Sequence, residues 1–251
     1  MTDIILSGCN GHMGQTVCSV SSGLDDVKIV AGVDVNTDNK NGFPVFSSIK
    51  DCDVKADVII DFSSPKVLDD ILSYGREKNV PLVLCTTGYD SDQISRIEKA
   101  SKEVAILRSA NMSIGINILA KILKETAEKF IGSGFDCEIV EKHHRLKKDA
   151  PSGTALLLAD AVNAGLKENL DYVYDRSKRN EQRPDAEIGI SAIRGGTIPG
   201  DHDVIFAGTD EVITFSHKAY SKAVFAKGAV KAAQFLKDKA AGLYSMSDVL
   251  G

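Results

Sequence analysis

Asp3-Ile4-Ile5-Leu6-Ser7-Gly8-Cys9-Asn10-Gly11-His12-Met13-Gly14-Gln15-Thr16-Val17 is the stretch that decides the fold. Residues 3–7 form a short apolar run that stops at a glycine. From Met13 to Val20 the apolar residues recur at helical spacing, so a strand feeds straight into a helix. Between them Gly8, Gly11 and Gly14 spell G-x-x-G-x-x-G, a variant of the dinucleotide fingerprint G-x-G-x-x-G. Its mechanics are unchanged. One glycine permits the sharp turn, another lets the backbone approach a pyrophosphate, and the helix start supplies free N–H groups and a positive dipole end. Read without its context, the same stretch is a plain strand-to-helix turn.

Outward from this turn the rhythm repeats. Apolar strands are expected at 28–33, 57–61, 80–84 and 104–107, with polar amphipathic stretches at 66–78 and 91–102 between them. Near-continuous apolar strands alternating with helices indicate an α/β domain, a Rossmann-like doubly wound parallel sheet covered on both faces. After residue 112 the pattern changes. A long amphipathic helix over 114–130 ends at Gly132-Ser133-Gly134, and the segments 135–139, 187–192 and 211–215 alternate apolar with polar residues. These predict a second, α+β domain built on an open mixed sheet. The helical stretch 223–236 resembles the covering helices of the first half and is expected to cross back, giving domains of 1–113 plus 222–251 and of 114–221. Residues 171–187, rich in Asp, Arg, Lys and Asn, are expected to form a long mobile loop.

Composition narrows the function. The chain has 251 residues, 43% of them apolar and 26% charged, with a net charge of −5, which is ordinary globular composition. No apolar run approaches the roughly 20 residues that span a bilayer, and the first residues lack the pattern of a signal peptide, so no membrane is expected and the cytoplasm is the expected location. The acidic balance, without a basic tract, gives nucleic acid little to hold. The five cysteines are dispersed and form no CxxC pair, so they are read as reduced apolar residues.

Asp34 ends the second strand, 20 residues after Gly14, where a carboxylate accepts hydrogen bonds from a ribose diol. Val35-Asn36-Thr37-Asp38 brings no arginine for a 2′-phosphate, so NADH is expected to bind at least as well as NADPH, with Lys40 the first lysine after Asp34 that could offset the carboxylate. Two further loops, Cys85-Thr86-Thr87-Gly88 and Ser109-Ala110-Asn111-Met112, leave the carboxyl ends of strands, where such sheets bind ligands. Their small and polar residues suit a nicotinamide ribose and carboxamide as well as ordinary turn chemistry.

The densest chemistry is Glu141-Lys142-His143-His144-Arg145-Leu146-Lys147-Lys148-Asp149-Ala150-Pro151-Ser152-Gly153-Thr154-Ala155. An imidazole exchanges protons near neutral pH, and an ammonium beside it binds a carboxylate or acts as an acid. Pro151-Ser152-Gly153-Thr154 opens a helix over 155–164, whose first N–H groups make a second anion receptor. The pair suits a small dicarboxylate. A solvated basic loop and a metal site of Glu141, His143, His144 and Asp149 are the alternatives, the latter disfavoured by the interspersed Lys and Arg. Adjacent strand residues point to opposite faces, so His143 and His144 can share a pocket only if the strand ends there, as expected.

E-x-H-H-x-x-K-x-D-x-P-S-G-T-A, over 141–155, resembles the signature of the 4-hydroxy-tetrahydrodipicolinate reductase (dihydrodipicolinate reductase) family of lysine and diaminopimelate synthesis. The resemblance extends to G-x-x-G-x-M at 8–13, Asp61-Phe62-Ser63, T-T-G at 86–88, Ala110-Asn111-Met112 and R-x-G-x-x-x-G-x-H at 194–202, with Cys85 standing where many relatives carry glycine. It implies an NAD(P)H-dependent oxidoreductase, commonly tetrameric through the second domain, that needs no metal. By this similarity His143 is the acid/base and Lys147 the proton donor, while His144, Gly153 and Thr154 bind the dicarboxylate. Cofactor contacts are implied for Gly8, Cys9, Asn10, Gly11, His12, Met13 and Asp34. Others are implied for Cys85, Thr86 and Thr87, and for Ser109, Ala110, Asn111 and Met112. A different nicotinamide dehydrogenase of amino-acid metabolism would need a site of its own, and none of the five cysteines sits in a recognisable loop for a thioester nucleophile, while a non-catalytic NADH sensor would leave the His143–Thr154 segment without a purpose.

Overall fold

The computed structural model describes residues 1–39 and 41–251; Lys40, the lysine considered as a partner for a 2′-phosphate, lies outside them. The chain forms two compact units, Met1–Ile114 with Lys222–Gly251, and Gly115–Ser221.

In the first unit the chain runs β1 (Thr2–Ser7), α1 (His12–Ser21), β2 (Val27–Val33), β3 (Val45–Phe46), β4 (Val58–Asp61), α2 (Leu68–Lys78), β5 (Leu82–Leu84), α3 (Ser91–Ala100) and β6 (Ala105–Arg108). Seven parallel strands stand in the order β12-β6-β5-β4-β1-β2-β3, with β12 (Gly242–Tyr244) added from the end of the chain. Strand alternation splits the core into two layers. Ile4, Leu6, Val58, Ile60 and Val83 face one cluster, shared with Val17 of α1, while Ile5, Ile59, Leu82 and Leu84 face the other, under α2 and α3. Burying each of these large side chains contributes about 1.5–3 kcal/mol, so a one-residue register slip would forfeit both layers. The strand order reverses beside β1, which leads to β2 on one side and has β4 on the other, so a crevice opens at its carboxyl end.

The second unit holds α4 (Ile114–Ile131), β7 (Asp136–His143), α5 (Gly153–Asn163), β8 (Asp171–Tyr174), β9 (Glu187–Arg194), β10 (Asp201–Ala207) and β11 (Val212–Lys218). Its sheet is mixed, in the order β11-β10-β7-β9-β8: β7 and β8 run parallel to β9, and β10 runs antiparallel to β7 and β11. One face packs Cys137, Ile139, Ile188, Ile190, Val204 and Phe206 against Leu123 of α4 and Leu158 and Val162 of α5. After this unit, α6 (Ala223–Leu236) returns to the first, followed by β12 and α7 (Met246–Leu250).

One expectation is corrected. Residues 171–187 are not one long loop: Asp171–Tyr174 is a strand paired with β9, and three arginines pin the segment that follows. Arg176 bonds Glu138 at 2.7 Å and Glu187 at 2.6 Å, Arg179 bonds Glu187 at 2.7 Å, and Arg183 bonds Glu138 at 3.0 Å and Asp136 at 2.6 Å. The charges that read as a mobile loop in sequence are matched to acids on the sheet.

Candidate active site

At the end of β1, Gly8 adopts φ +76°, and a Cβ there would meet the Phe62 carbonyl oxygen at 2.6 Å. Gly14 lets α1 close onto the turn: a Cβ would collide with the carbonyl oxygens of Gly8 and Cys9. Beyond this turn lies a cleft of about 440 Å³ lined by Gly8, Gly11, Asp34, Ser48, Phe62 and Ile71, among others. Asp34 stands at its wall with both carboxylate oxygens oriented by backbone, Oδ2 accepting from the Asn10 N–H at 2.9 Å and Oδ1 from the Asn36 N–H at 3.0 Å. An open glycine turn at a helix start, beside a fixed acceptor, fits a dinucleotide.

The remaining candidate residues separate by what they expose. Thr87 and Ala110 are exposed, and His12 is exposed at the start of α1. Cys9, Cys85 and Met112 are buried in the core, and the Cys85 N–H donates to the Asp61 carbonyl at 2.9 Å. Ser109 takes the Asn111 N–H on its Oγ at 3.2 Å and donates to the Asn111 carbonyl at 2.8 Å, closing that loop on itself. Thr86 donates its hydroxyl to the buried Asp61 carboxylate at 2.6 Å, and Asp61 also accepts the Ser63 hydroxyl at 2.5 Å. One aspartate thus ties the loops after β4 and β5 together.

In the second unit the site grows out of strand alternation. Ile139 and Val204 face the core; two residues along β7 and two back along β10, the same face carries Glu141 and His202, paired across the strands. The apolar ladder turns polar where Ser152 caps α5 with its Oγ on the Ala155 N–H at 3.1 Å. Glu141 is fully buried and fully partnered: its Oε1 accepts from the Ser152 N–H at 3.0 Å and from Arg194 at 2.7 Å, and its Oε2 accepts from Arg194 at 2.7 Å and meets His143 Nδ1 at 2.6 Å. Burial works to raise the Glu141 pKa, but Arg194, His143 and the Ser152 N–H outweigh it and hold the carboxyl below its ordinary range. The carboxylate therefore accepts from His143 Nδ1–H, which fixes the tautomer and leaves Nε2 as the free, basic nitrogen.

Burial lowers the His143 pKa, against the pull of Glu141, and the charges of Lys147 and Arg194 lower it further, so the ring is neutral at pH 7. His202 lies with its ring centroid 5.1 Å from that of His143, and its Nε2 is 3.0 Å from Ser152 Oγ. Burial, then His143, drive the His202 pKa down to about 3. The strand ends at His143 as expected, with the Gly195 N–H on the His143 carbonyl at 2.9 Å; His144 is half-buried beyond it, its N–H on the Ile198 carbonyl at 2.8 Å. Lys147 is held by Asp149 at 2.8 Å, while Gly153 and Thr154 form the first turn of α5. Neutral imidazole, ammonium and helix N-terminus are thus brought to one end of one sheet.

Residues 2–112 match the family model for the dihydrodipicolinate reductase N-terminus, and residues 115–250 match that for its C-terminus. The chain belongs to the dihydrodipicolinate reductase family. As a member it is an NAD(P)H-dependent oxidoreductase. It is 50% identical to the 4-hydroxy-tetrahydrodipicolinate reductases of Caldanaerobacter subterraneus subsp. tengcongensis, over 100% of this chain and 98% of that one, and of Clostridium tetani, over 100% and 97%. Among solved structures, a dipicolinate-bound dihydrodipicolinate reductase from Paenisporosarcina sp. TG-14 shares the fold, with a TM-score of 0.80 at 22% identity over 98% of this chain and 97% of that one.

Sequence reading of this reductase missed the supporting residues. Glu141 is read as a disfavoured metal ligand and as the first residue of the signature, without a role of its own, whereas its oxygens are taken by Arg194, His143 and Ser152. Arg194 and His202 were legible only as parts of a motif. Lys50 bonds Asp70 of the cleft lining at 2.7 Å and is a cation that spacing from Asp34 does not suggest.

Proposed function

We propose that the chain reduces (hydroxy-)dihydrodipicolinate to tetrahydrodipicolinate in lysine and diaminopimelate synthesis, working in the cytoplasm as a homotetramer built through the second unit. The observation that carries this reading is the assembly of a tautomer-fixed His143, Lys147 and the N-terminus of α5 at one end of the second sheet. When bound, NAD(P)H supplies the hydride. Gly8, Gly11 and the start of α1 receive its pyrophosphate, and Asp34 its adenosine ribose. The loops at 85–87 and 109–112 take the nicotinamide end, largely through backbone groups.

The substrate is a small dicarboxylate. The N–H groups of Gly153 and Thr154 bind one carboxylate, with helix dipole and hydrogen bonds acting together, and His144 assists with the other. Lys147 donates the proton that completes the reduction, its ammonium held in place by Asp149. His143, whose free Nε2 accepts a proton while Glu141 stabilises the imidazolium, acts as acid/base beside it. None of these steps calls on a metal.

The test is to mix the protein with NADH and freshly generated substrate and follow cofactor absorbance. Falling absorbance with tetrahydrodipicolinate formed supports the reading. Tight NADH binding without turnover supports a sensor instead.

A further inference from the structure

Asn10 lies in the glycine turn, but its side chain points away from the turn's own backbone. Its Nδ2 donates to the Asn36 carbonyl at 2.6 Å and to the Asp38 carbonyl at 3.0 Å, groups 26 and 28 residues further along the chain. Its backbone N–H meanwhile donates to Asp34 Oδ2. The segment so held is already chained to itself: Asp34 Oδ1 accepts from the Asn36 N–H, and Asn36 Oδ1 accepts from the Asp38 N–H at 3.1 Å. One residue therefore fixes the ribose carboxylate through its main chain and the loop beyond it through its side chain.

We infer that Asn10 is a specificity-determining residue for the cofactor, acting by positioning Asp34 and residues 36–38. This rests on the reading that Asp34 receives the adenosine ribose. Each Asp34 oxygen spends one acceptor site on a backbone N–H and keeps another, which is what two ribose hydroxyls need. A carboxylate locked in that plane cannot turn away from a 2′-phosphate, and Val35, Asn36, Thr37, Asp38 and Asn39 bring no cation to offset it. Locking the loop thus favours the diol twice, by preorganising the acceptors and by denying the phosphate an adjusted loop.

Asn10→Ala keeps the backbone bond to Oδ2 and releases the two carbonyls. The dissociation constant for NADH is expected to rise about fivefold while that for NADPH changes less than about twofold, so that the preference narrows. Asn10→Ser, with one short donor in place of two, is expected to fall between and carries the test if the alanine variant does not fold. Both constants are measured by cofactor fluorescence on the purified full chain, alongside Asp34→Ser. Equal weakening of both cofactors, no change in either, or selective loss of NADPH overturns the inference. If Asp34→Ser leaves both constants unchanged, the ribose reading itself fails, whatever the Asn10 variants do.

Discussion

Arg194 reaches from the last residue of β9 to Glu141 on β7 and binds both of its carboxylate oxygens, each at 2.7 Å, although Glu141 has no exposed surface. A buried carboxylate without such a partner would carry a large desolvation penalty. The arginine thus keeps Glu141 ionised, and an ionised Glu141 keeps the proton of His143 on Nδ1.

Arg194→Ala is accordingly expected to destabilise the second unit by about 3–5 kcal/mol, the usual consequence of stranding a buried charge. Glu141→Gln retains the volume but exchanges one of two acceptor oxygens for an NH2 donor. One oxygen can no longer serve Ser152 and Arg194 on one side and His143 on the other, so the tautomer is no longer fixed and turnover is expected to fall about 10²-fold. Because Glu141 holds the His143 pKa up against burial, the acid limb of the rate profile is expected to move to lower pH. Urea unfolding and a pH series of initial rates check both; an unmoved acid limb in the glutamine variant would remove Glu141 from the tautomer role.

His202 predicts the acid sensitivity of the fold. Its pKa is about 3 in the folded chain against 6.5 when free, so the folded state prefers the neutral ring and unfolding takes up a proton between those values. Its contribution to stability is complete above pH 6.5 and declines as pH falls toward 3. Within that window one proton corresponds to a slope of about 1.4 kcal/mol per pH unit. His202→Gln is expected to flatten the dependence of unfolding free energy on pH by roughly that amount between pH 4 and 6. Parallel curves for the two proteins would show that His202 is protonated, or already exposed, in the folded chain.

Lys147 belongs to the second unit, in the segment proposed to bind substrate, whereas the glycine turn belongs to the first. Lys147→Ala, with the α5 start intact, is expected to lower turnover about 10²-fold or more and to weaken substrate binding, leaving the NADH dissociation constant within about twofold. Lys147→Arg restores charge for the carboxylate but not a readily lost proton, so it should recover binding before turnover. An unchanged turnover number in a folded alanine variant eliminates the proton-donor role.

What the sequence made legible follows the range of the forces involved. The doubly wound sheet was readable because Ile4, Leu6, Ile59 and Val83 are apolar on both faces of their strands, a local pattern that tertiary contacts reinforce. The start of α5 was readable because a Pro-Ser-Gly-Thr cap is a local signal. Strand β10 was hidden inside Asp201–Ala207, whose alternation is interrupted by the site residue His202 on its buried face. Strand β8 was hidden by the charges around it, whose partners Glu138 and Asp136 lie some forty residues earlier in the chain. The same holds within the site. His143 and Lys147 announce themselves by chemistry, while Arg194 acquires its role only when β9 pairs in parallel with β7 and sets it beside His143.

Cofactor choice turns on two charges at one cleft. On the proposed reading Asp34 favours the two hydroxyls of NADH and opposes a 2′-phosphate; its orientation is fixed by the Asn10 and Asn36 N–H groups. Asp34 is half-buried and residues 35–39 are exposed, so screening limits the effect, and NADH is expected to be preferred by about tenfold, close to 1.4 kcal/mol. Lys50, paired as an exposed cation with Asp70 of the cleft lining, is a charge that can oppose this: surface ion pairs of that kind are worth little, so releasing Asp70 for a phosphate would cost little. Asp34→Ser should narrow the gap by weakening NADH and easing NADPH. Lys50→Ala should widen it by weakening NADPH alone. Dissociation constants for both cofactors in the three proteins decide the matter. Tighter NADPH than NADH in the unmutated chain, reversed by Lys50→Ala, would show that the lysine rather than the aspartate governs the ribose site.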